Sequence, residues 1–147
     1  MELPKYNPHK DRDDRIKSAV TAIKTLLDLE LYPSHKKELI SVCIWKITEA
    51  DGKLRTRYRS LGSLKAGSGT KLQHDHVFER KSLIQRLLNQ REEVQTVLND
   101  AIGCVVTKEE HDHLTRVSRE SPDLEGWDRY KVAGIQVFDL EMQREID

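Results

Sequence analysis

The sequence predicts a helix-rich α+β fold in a single domain, and three observations point there. Residues 13–50 carry two apolar stripes at helical spacing. "GCVV" and "IQVF" are short apolar runs of strand length. "TKEEHDHL" has the form of a capping box, with Thr107 three residues before Glu110, and so opens a further helix. The length, 147 residues, is that of one ordinary domain.

Each element follows from local chemistry. Residues 1–12, with Pro4, Pro8 and mixed charge, read as a flexible tail. From about Asp13, Ile16, Val20, Ile23, Leu26 and Leu27 share one helical stripe. Pro33 ends that helix and fits the first turn of the next. There Leu39, Ile40, Cys43, Ile44 and Ile47 form the expected buried face, with Trp45 at its edge. Asp51-Gly52 marks the turn that closes this helical pair. Residues 53–71 are a basic loop whose cations are Lys53, Arg55, Arg57, Arg59, Lys65 and Lys71, with no acid among them. If its start is extended, Arg55, Arg57 and Arg59 lie on one face. "KLQHDHVF" is a short strand or strand end, and residues 79–101 form a third helix. After "GCVV" and the capped helix, a helical turn around Trp127 and Tyr130 closes at Gly134, and "IQVF" is the last strand.

Composition bounds the function. Acids and bases balance at 25 each, so any attraction for nucleic acid has to be local. No apolar run approaches a membrane span, and the charged N-terminus lacks the apolar core of a secretory signal. Cys43 and Cys104 each sit among apolar residues, which suits reduced thiols in the cytoplasm. The amphipathic helical pair over 13–50 either completes the core or supplies a homodimer surface.

The chemistry concentrates in "LQHDHVFE". On a strand His74 and His76 face one way and Asp75 the other, and at a strand end that alternation relaxes. Imidazole and carboxylate together suit Zn, Mn, Ni or Mg. His111 follows on the capped helix, while His113, two residues on, points to a different face.

"HDHVFERK" followed by "CVVTKEEHDHL" resembles the HNH family of endonucleases, also called ββα-metal or His-Me finger nucleases, in a divergent form. The downstream "GWDRYKVAGI" is similar to material that follows the metal helix in some divergent members. The resemblance covers residues 72–138 and implies a small ββα-metal-like element built from residues about 70–118. It implies Asp75 and His111 as metal ligands, His74 as an optional further ligand or phosphate contact, and His76 as the general base. It also implies a divalent cofactor (Mg, Mn, Ni or Zn), DNA as substrate, and 5′-phosphate and 3′-hydroxyl products. Arg80 and Lys81 follow the motif and are placed to hold phosphate oxygens.

Two features depart from the family. A helix fills the place where a short loop joins its two strands, and the central Asn that orients the base has no clear counterpart. Asn99, Thr107 or a backbone carbonyl is left for that role. The alternatives are a catalytically inactive nucleic-acid-binding module, with Arg55, Arg57 and Arg59 on phosphates, and a helical protein-interaction domain. Cys104 with His111 and His74 or His76 would make a structural zinc site instead. The arginine run reads equally as a cationic edge that blocks strand pairing.

Overall fold

The computed structural model describes residues 1–147. It is 50% helix and 12% strand, with one five-stranded sheet, so the helix-rich α+β class holds. Two long helices come first, α1 (Arg12–Asp28) and α2 (Pro33–Thr48), with Pro33 opening α2 as its spacing required. Next come β1 (Tyr58–Ser60), the short α3 (Leu61–Lys65) and β2 (Leu72–His76). Helices α4 (Arg80–Asn89) and α5 (Val94–Leu98) separate β2 from β3 (Gly103–Thr107). The chain ends with α6 (Lys108–Glu120), α7 (Trp127–Ala133), β4 (Val137–Asp139) and β5 (Arg144–Glu145). No helix is long and apolar enough to cross a membrane.

The strand order is β2-β3-β1-β4-β5. β2 and β3 are antiparallel, with His74 opposite Val105, Asp75 opposite Cys104 and His76 opposite Gly103. β1 runs parallel to β3 and antiparallel to β4. Helix α6 leaves β3 directly and packs back on both β2 and β3, so residues 72–120 form a strand–strand–helix unit.

Two apolar cores lie side by side. The helical core joins Ile23 and Leu27 of α1, Ile40, Ile44 and Ile47 of α2, Leu83 and Leu87 of α4, and Val97 and Leu98 of α5. The sheet core joins Val77, Cys104, Val106, Leu114, Tyr130 and Val137. Phe78, just after β2, packs against both.

Several expectations need correction. Residues 79–101 are two helices, because Gln90 takes a left-handed conformation (φ 53°) that ends α4. Arg86 then grips Glu92 and Asp100 across the break. Leu39 is 46% exposed, since the buried face of α2 is formed by Ile40, Ile44, Ile47 and Thr48. Residues 53–71 contain β1 and α3 rather than loop alone. The segment before α1 is tied down: the buried Asp51 carboxylate accepts from Tyr6 Oη (2.6 Å), the His9 amide (2.9 Å) and Arg12 (2.5 Å). A buried carboxylate needs such donors, and the N-terminal segment supplies them.

Candidate active site

One polar cleft of about 380 Å³ gathers most of the residues singled out above. His74, Asp75 and His76 line it from β2, His111 from α6, and Arg80 from the start of α4. Lys53, Arg129, Trp45 and Glu79 complete much of its wall. Helices α4 and α5 between the two strands therefore do not keep His111 away: they pack into the helical core while β3 still pairs with β2. The Thr107 capping box fixes where α6 begins. The Glu110 amide donates to Thr107 Oγ1 (3.1 Å) and the Thr107 amide donates to Glu110 Oε1 (2.9 Å). Ser60 donates to the same Glu110 oxygen at 2.6 Å and so anchors the helix start to the end of β1. His113 is not among the residues lining the cleft.

The three β2 residues have different environments. His74 is buried, and both its ring nitrogens have partners, Nδ1 with the Lys53 carbonyl oxygen (2.8 Å) and Nε2 with Thr48 Oγ1 (3.2 Å). Burial pushes its pKa below the ordinary histidine value. Its ring lies over Gly103, where a Cβ would come within 2.7 Å of Nε2 and 3.1 Å of the Thr48 carbonyl oxygen. His74 thus joins the sheet to the end of α2, and the metal-ligand role offered to it meets two occupied nitrogens.

Asp75 turns toward the sheet core, as strand alternation requires. Tyr130 Oη donates to its Oδ2 at 2.5 Å, and Arg129 stands 3.3 Å from the same oxygen. Both contacts fall on Oδ2, which leaves Oδ1 without a partner in the chain. Arg129 is itself buried and also donates to the carbonyl oxygens of His76 (3.1 Å) and Val77 (3.0 Å) and to Ser118 Oγ (2.8 Å). It fastens the end of β2 to α6 and α7. Sequence reading missed this residue, because an arginine in a helical turn carries no local sign of burial.

His76 shares the His74 side of the strand, with ring centroids 5.2 Å apart. Its Nδ1 is buried without a hydrogen-bond partner. Burial first, then the neighbouring His74 and Arg80, lower its pKa to about 3, so the ring is neutral at physiological pH. Neither Asn99, which caps the end of α5, nor Thr107, engaged in the capping box, bonds this nitrogen.

The predicted arginine face is largely occupied. Only Tyr58–Ser60 is strand, so the run 55–59 does not lie along one extended segment. Arg57 makes a two-pronged pair with Asp139 (2.8 and 2.7 Å) and reaches Glu141 at 3.0 Å. Arg59 bonds Ser63 Oγ and its carbonyl oxygen. Arg55 and Lys81 are exposed. Cys104 is fully buried in the sheet core, where it packs with Val106 and Tyr130, and this takes it out of a zinc site with the histidines.

A divalent cation is tested by the donors present. The Asp75 carboxylate and the His111 imidazole are of the right chemistry, and both residues line one cleft. No group of three or more His, Cys, Asp or Glu side chains converges to hold a metal. The cleft thus offers side chains of ligand chemistry without a three-residue ligand set. No family model, curated protein or solved structure matches the chain.

Proposed function

We propose that the chain is a metal-dependent endonuclease that hydrolyses phosphodiester bonds in DNA, with His76 as general base. The observation that carries this reading is that Asp75, His76 and His111 line one polar cleft across the β2–β3–α6 unit. Lys53, Arg80 and Arg129 in the same lining suit a phosphate group. His76 is neutral and so able to accept a proton from an attacking water. A phosphate anion beside the ring raises its affinity for that proton. Asp75 and His111 would hold the divalent ion, which when bound supplies charge stabilisation for the scissile phosphate and the leaving oxygen. Arg80 and Arg129 supply fixed positive charge in the cleft, and Arg129 holds the backbone on which His76 sits.

Two observations favour a second reading, a nucleic-acid-binding module without turnover. A guanidinium already stands against Asp75, and no group orients the His76 ring through Nδ1. The test is incubation of plasmid DNA and of single-stranded circular DNA with the protein and Mg, Mn, Ni or Zn in turn. Nicking is expected with at least one metal. His76→Ala should abolish it while the circular dichroism spectrum is unchanged. Undiminished cleavage by that variant refutes the mechanism, and salt-sensitive binding without cleavage under any metal favours the second reading.

A further inference from the structure

We propose that Trp45 and Arg80 form a base-stacking subsite at this cleft, and that the nucleic acid bound there is single-stranded. The inference rests on the nucleic-acid reading above and adds the strandedness of the ligand. Trp45 is the one hydrophobic residue lining an otherwise polar cleft, and it is 40% exposed. Its helix buries Ile40, Ile44 and Ile47 in the core, so the indole is left on the cleft side of α2. A cleft that held phosphate alone would have no use for an exposed indole beside its cations. Arg80 places its guanidinium 5.1 Å from the indole centroid. Aromatic rings and guanidinium planes are the two surfaces on which unpaired bases stack. Here they stand together, beside the imidazoles that would face the adjoining phosphate. In a duplex each base is stacked between its neighbours and offers no free face, so the subsite selects an unpaired nucleotide.

Trp45 also has Leu39 and Val42 on its helix, both partly exposed, and a second copy of the chain covering them is the competing occupant. The experiment measures fluorescence anisotropy of a labelled single-stranded oligonucleotide, its duplex, and the same strand with abasic positions, using the full chain. Sedimentation velocity of each variant runs alongside. The single strand should bind more tightly than the duplex. Trp45→Ala should weaken single-strand binding by about 5- to 150-fold, the value of one stacked base. Trp45→Phe should restore most of that loss, and binding of the abasic strand should be insensitive to Trp45→Ala. If the single strand binds but Trp45→Ala leaves it unchanged, the subsite is refuted and the nucleic-acid reading stands. If no oligonucleotide binds, both fall. A sedimentation coefficient that drops on Trp45→Ala makes the patch a contact between copies and overturns the subsite.

Discussion

Arg129 shows how much of the site depends on one side chain that is not expected to touch the reacting atoms. It is 4% exposed, and its guanidinium reaches a carboxylate, two carbonyl oxygens and a hydroxyl. Removing it leaves Asp75 as a buried charge with only Tyr130 as donor. Arg129→Ala should therefore cost about 3–5 kcal/mol in urea unfolding, the usual penalty for breaking a buried pair. Adding Asp75→Asn should recover part of the loss, since the orphaned charge is then gone. A double variant as unstable as the single one would mean that the carbonyl contacts, not the ion pair, matter most. At this scale the sequence was only partly legible. Asp75, His76 and His111 could be singled out through a resemblance carried by two short motifs, and such motifs are local. Arg129 and the two partners of His74 could not, because their contacts join residues 11 to 54 positions apart.

At the scale of elements, the start of α6 was readable and the break after α4 was not. Thr107 and Glu110 meet within one turn, so their spacing alone forecasts their bonds. Thr107→Ala should cost about 1 kcal/mol, seen as a lower urea midpoint with an unchanged slope. The larger consequence falls on His111, four residues into the helix, whose place in the cleft depends on where the first turn forms. If the variant unfolds at the wild-type midpoint, the cap is idle. The α4–α5 break turns on Gln90 adopting a left-handed conformation, which glycine would have announced and glutamine does not. β1 was hidden for another reason. Its three residues gain strand character only by pairing with β3 and β4, and those partners lie far along the chain.

Over the whole molecule, an ion pair ties the residue before β1 to the end of β4. Asp139 of β4 accepts two bonds from Arg57, and this contact holds its pKa below the ordinary value of 3.8. A depressed carboxylate pKa contributes stability that is present above about 3.8 and is lost as pH falls through the folded value. Asp139→Asn should therefore be less stable than the wild type at neutral pH, and the gap should close below pH about 3.8, as read by urea midpoints across pH. A constant gap would show that the hydrogen bonds rather than the charge matter. The helix-rich α+β class was legible because amphipathic periodicity is local, whereas the division of the apolar residues into two cores follows from topology. The cleft lies where those cores meet, with Trp45 and Arg80 on one side and His111 and Arg129 on the other, and Phe78 touches both. Phe78 thus couples the unfolding of the two cores, beside His74, which joins the sheet to the end of α2. Phe78→Ala should cost about 3–5 kcal/mol, and it should also let the two halves exchange their amide protons at separate rates. A single shared exchange rate in that variant would show that the halves are coupled elsewhere. With separate rates, the cleft, built from both halves, would open at the lower of the two thresholds, while each core still kept its own protection.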